Sequence, residues 1–300
     1  MAATRITPKT IIMIVAGEVL LLATLIILAK AGFITRSRYL VDVVALSFGA
    51  LARAISVKLF LDIANEYRNV RLSRLAWQAL AVNAALLFIR GVASSSLPGL
   101  FMESYRGSPL RGLLNYGLEV PATLFLLLGL LGMLHAYRRT GLGPKLGRGH
   151  YAVVLASVVL FGWVLISHKN LEEGQSPWLI NRLLQPLDMA LIAVASVVSI
   201  ELHAYAVRLN GGKLAEAMRW LVIYGLLPGV VVLLVQLVVP ALRSRFALDS
   251  APFLSLWALI PWAMTMAAVV RVQMTVETVA QVAEFHSAKA IAVPELTAKG

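Results

Sequence analysis

Long apolar runs, each closed by bases, glycines or prolines, recur along the whole chain. A transmembrane helix needs about 20 mostly apolar residues, because each adds about 1.5 Å toward crossing a hydrocarbon layer about 30 Å thick. Eight stretches are long enough: 10–31, 39–62, 75–93, 113–136, 151–168, 184–207, 218–241 and 252–272. They predict an all-α fold, a polytopic transmembrane helix bundle of about eight spans. The second stretch is the most charged. Were it not to cross, seven spans would remain and every later orientation would invert.

The breaks between runs are rich in turn formers. "SSSLPGL" (94–100), "GLGPKLGRG" (141–149), "EEGQSPW" (172–178) and "NGG" (210–212) all interrupt helical periodicity. Pro121, Pro228 and Pro261 fall within spans, where neighbouring helices can re-satisfy a freed carbonyl. After Arg271 the apolar spacing continues through Val272, Val276, Val279 and Ala283, with Glu277, Gln281 and Glu284 on the other side. This predicts a transmembrane domain over 1–272. A cytoplasmic amphipathic helical extension over 273–300 would lie along the membrane surface or against a partner protein.

Composition strengthens the membrane reading. Hydrophobic residues make up 59% of the 300 and charged residues 14%, too little polar surface to enclose a soluble core of that content. The mean hydropathy is +0.81. The formal charge of +12 would suggest nucleic acid in a soluble protein. Here the bases sit mostly in short connections, no Lys/Arg run reaches five, and the expected partner is the lipid bilayer rather than nucleic acid. With no cysteine, disulfides and thiolate chemistry are excluded. The first apolar stretch has 22 residues, longer than the core of a cleaved signal at about 7–15, so it reads as a retained span.

Loop bases set the expected orientation. With the N-terminus inside, nine bases fall on inner connections (Arg68, Arg71, Arg74, Arg138, Arg139, Lys145, Arg148, Arg208, Lys213) and seven on outer ones. The excess predicts a multi-pass protein of the plasma (inner) membrane with both termini cytoplasmic. A shift of 140–146 residues superposes Asp42 on Asp188, Trp77 near Trp220 and Pro121 on Pro261. Two four-helix halves would produce such matches.

Charges inside spans need partners, since each costs about 2.5–3.5 kcal/mol at mid-bilayer. Height along the helices suggests which. Glu18 and Arg53 come out about 12 and 14 Å from the inner face, which predicts an ion pair. Arg90 and Glu119 match in the outer half and form a second expected pair. Lys58 and Asp62 are spaced i, i+4 on one helix. Asp42 and Asp188 have no evident base. With Arg90, Asn115, Tyr116, Glu119 and Gln185 they could line an outer polar cavity for a cation, a proton or a polar headgroup. They could equally cap helix starts in the headgroup zone.

His135 and His203 share a depth near Glu201 and could ligate a metal or haem. Imidazoles at helix C-termini also complement the dipole without any ligand, and no cofactor is expected. Metalloprotease, nucleophile-elbow and phosphate-loop motifs are missing from the sequence, which leaves an enzymatic reading without support. Gly225 with Gly229 and Gly129 with Gly132 read as helix-packing positions. Three functions remain open. The first is a carrier or permeation protein for a small polar solute, ion or proton using buried charges. The second is a metal-free membrane anchor subunit of a larger, quinone-reactive complex. The third is a membrane-embedded sensor input module.

Overall fold

A computed structural model describes residues 6–31, 37–94, 109–139, 183–208, 212–233 and 259–275, together with positions between 148 and 162. Six helices are named here: α1 (Pro8–Lys30), α2 (Ser37–Glu66), α3 (Arg71–Ser94), α4 (Pro109–Arg138), α5 (Gln185–Arg208) and α6 (Gly212–Leu233). Residues 259–275 are also helical, as are the described positions between 148 and 162. Among the described residues there is no strand. In hydrocarbon a helix satisfies its backbone hydrogen bonds internally, so runs of this length and apolarity settle into helices and pack side by side. All six named helices are long and apolar enough to cross a membrane. The protein is thus an all-α, multi-span helical bundle.

The helix ends extend beyond the apolar runs. Helix α2 continues to Glu66 and α4 begins at Pro109, because helical backbone does not stop where hydrocarbon does. Helix α6 starts at Gly212, six residues before the expected span. That glycine carries φ +80°, a left-handed conformation that side chains rarely adopt. It stands at the first position of α6.

Contacts fix the relative directions. Phe60 of α2 packs on Trp77 of α3, ring centroids 5.5 Å apart, and Gly91 near the end of α3 lies against Arg53, earlier on α2. Those two helices are therefore antiparallel. So are α3 and α4, since Arg90 meets Glu119 while Ala76 meets Gly132. Helices α4 and α5 instead run parallel: Thr123 meets Asp188 and Arg138 meets Glu201.

Small residues let these helices approach. A Cβ on Gly132 would stand 2.8 Å from the Ala76 Cβ, and one on Gly129 would stand 2.7 Å from the Leu80 side chain. A Cβ on Gly225 of α6 would collide with Ser199 of α5. Apolar association gains little where the solvent is itself apolar, so close van der Waals contact takes over. The 259–275 helix is at the centre, buried at every position from Ile260 to Arg271. Ile12, Leu20 and Ile27 of α1 are exposed, as side chains facing lipid are.

Candidate functional site

Four helices bring acids and bases together inside the bundle. Arg90 of α3 pairs with Glu119 of α4 at 3.1 Å, and its Nε donates to Asn115 Oδ1 at 2.8 Å. Asn115 and Glu119 are four residues apart, so one face of α4 presents both to the same guanidinium. One turn further, the Thr123 hydroxyl donates to Asp188 Oδ1 of α5 at 2.6 Å and lies 3.0 Å from the Glu119 carbonyl. Thr123 thus joins Asp188 to the α4 turn that carries Glu119, beside the Arg90–Glu119 pair. Asp188 is 5% exposed and takes part in no ion pair among the described residues.

Arg53 of α2 completes the set. Its guanidinium lies against Gly49 of its own helix and against Gly91 of α3, the residue after Arg90. Glycines are what leave space for it: a Cβ at Gly91 would come within 3.2 Å of Arg53 Nη1. Arg53 Nε is buried without a hydrogen-bond partner among the described residues. Tyr224 of α6 donates to Asn83 Oδ1 at 2.5 Å, and Asn83 Nδ2 donates to the Ala122 carbonyl at 2.7 Å. Two formal positive and two formal negative charges thus share one interior, with neutral hydrogen bonds beside them.

The ion pair expected between Glu18 and Arg53 is replaced by other contacts. Glu18 is fully buried and accepts from Trp262 Nε1 at 2.5 Å, while Arg53 turns toward α3. Successive residues point 100° apart around a helix, and here the two side chains diverge. Lys58 and Asp62 do meet, at 2.6 Å, on an exposed flank of α2. Gln185 is buried three residues before Asp188 on the same face of α5, and Tyr116 is half-buried beside Asn115. Asp42 lies on α2, but its side chain is outside the described residues.

Both candidate metal ligands, His135 and His203, are exposed, and Glu201 between their helices is bound by Arg138 at 2.6 Å. Among the described residues no cluster of three or more His, Asp or Glu side chains could hold a metal ion. Arg53, Asn83, Thr123 and Tyr224 are parts of the cluster that the sequence did not mark as such. The i, i+4 spacing of Thr123 after Glu119 was the one signal available. The chain is a polytopic membrane protein with salt-bridged charges inside its bundle. Comparison with protein-family models, with curated proteins and with solved structures gives no match.

Proposed function

We propose that the chain is a carrier or permeation protein for a small polar solute, an ion or a proton, with a small cation or proton favoured, and that Asp188 is the exchanging group. The observation that carries this reading is the state of Asp188, a buried carboxyl held by one hydroxyl with no base bonded to it among the described residues. An acid at such a place in a membrane is stable when it holds a proton or a cation, and ionisable groups within spans commonly mark ion pathways. Glu119 and Arg90 beside it form a pair whose charge can be redistributed as Asp188 loads and unloads. Asn115 and Gln185 would contribute neutral ligands toward the helix starts, with Tyr116 and Asp42 nearer the entrance.

Eight spans with both termini cytoplasmic, in two four-helix halves, remain the topology we favour. The parallel course of α4 and α5 supports it, because a chain that ends one helix and begins the next in the same direction must first return. The expected span 151–168 would make that return. The tail beyond 272 would then lie at the cytoplasmic face. Reporter fusions at 105, 144, 174, 212 and 248 test this, and an external reading at 144 refutes it.

The functional test is flux. Purified protein in liposomes carrying a pH dye inside is given a potential or a cation gradient. Flux should be present in the wild type and lost in Asp188→Asn, while Lys58→Ala retains it. Equal flux in wild type and Asp188→Asn would overturn the assignment.

A further inference from the structure

At the end of the bundle away from Asp188, the α2–α3 turn, the C-terminus of α4, the start of α6 and the 259–275 helix enclose a cavity of about 390 Å³. Small-molecule sites commonly span ~300–1,000 Å³. Its wall is mainly apolar, with Trp77, Met133, Met218 and Leu221, and it reaches the surface beside half-exposed Val70. Arg139 and Arg271 also line it, and among the described residues none that lines it is acidic.

Arg271 is the informative residue. Its side chain is 7% exposed. Nη1 donates to Thr275, Nη2 donates to the Tyr67 hydroxyl at 2.8 Å, and Glu66 stands 3.5 Å away. Its Nε has no hydrogen-bond partner among the described residues. Arg271 nevertheless lines the cavity, and its charge at that wall attracts an anionic group. Around this end lie Arg68, Arg71, Arg74, Arg138 and Lys213, which outnumber Glu66, Glu201 and Glu216.

We infer that the cavity is a binding site for an anionic phospholipid, its phosphate on Arg271 and Arg139 and its first methylenes among the methionines. A basic pocket between transmembrane helices at the interface is where such headgroups gather. An apolar wall under a cationic rim fits an amphiphile better than a free anion, because a free anion would leave the Met and Trp surfaces unfilled. The inference is independent of the transport reading, since it uses none of the residues around Asp188.

Trp77 gives the readout. It is 6% exposed and therefore shielded from bulk lipid, so a quencher reaches it through the cavity. The full-length protein in nanodiscs is given brominated phosphatidylglycerol or brominated phosphatidylcholine, and the Trp77 signal is taken as wild type minus Trp77→Phe. Phosphatidylglycerol should quench at about fivefold lower mole fraction, the contribution of one basic group at an anionic surface. Arg271→Gln should remove that preference. Ala136→Phe, which fills the cavity and leaves both arginines, should abolish quenching by either lipid. Equal quenching by the two lipids, or a preference that survives Ala136→Phe, overturns the proposal. Displacement by inorganic phosphate, or equal quenching by a brominated fatty acid, overturns the phospholipid assignment.

Discussion

Removing Arg90 alone should harm the bundle more than removing Arg90 and Glu119 together. The pair sits at 3.1 Å with side chains 24% and 13% exposed. At an effective dielectric constant of about 20, two unit charges that far apart attract by about 5 kcal/mol. That figure is a ceiling, because a chain unfolded within lipid also finds polar partners. Arg90→Met leaves the Glu119 carboxylate with only the field of Arg53 and frees the Asn115 acceptor. Breaking one side of a buried pair costs about 3–5 kcal/mol, while replacing both sides with apolar residues of like volume is often neutral. The measurement is unfolding free energy in bicelles for Arg90→Met, Glu119→Leu and the double variant. Each single change should destabilise by about 2–4 kcal/mol, and the double variant should recover most of that loss. Under the transport reading the recovered double variant still shows no flux. A double variant as unstable as the sum of the singles would refute the view that these charges are each other's main partner.

Gly132→Leu should destabilise by more than the usual ~1–3 kcal/mol of overpacking, because the new Cβ meets Ala76 with no flexible atom to move aside; thermal melting in detergent checks it. Glu18→Gln should melt close to the wild type, since its carbonyl still accepts from Trp262, whereas Glu18→Leu strands that indole donor and should cost about 1–3 kcal/mol. Lys58→Ala should change stability by less than about 1 kcal/mol, because the pair with Asp62 is 77% and 51% exposed on its two sides.

What could be read from the sequence was axial. Apolar length located the helices, and counting 1.5 Å per residue matched Arg90 with Glu119 across a connection. The same count paired Glu18 with Arg53 and failed, because it carries no information on azimuth. The true neighbour of Glu18 is Trp262, 244 positions away on the buried 259–275 helix, and only the assembled bundle brings them together. Thr123, Asn83 and Tyr224 were overlooked for a different reason. Neutral polar side chains are ordinary within spans, and their role appears only when Asp188 and the Ala122 carbonyl are found beside them. Asn115, Glu119 and Asp188 come into one region because α4 and α5 run parallel and start at the same end of the bundle.

Asn83 has a further meaning for assembly. Its amide gives a proton to α4 through the Ala122 carbonyl and takes one from α6 through the Tyr224 hydroxyl. The two halves of the amide are chemically opposite, so the group can serve only one rotational setting of the three rods. Many greasy faces could lie together with nearly equal ease. A single carboxamide, wedged where it can be satisfied in one way, is enough to choose among them.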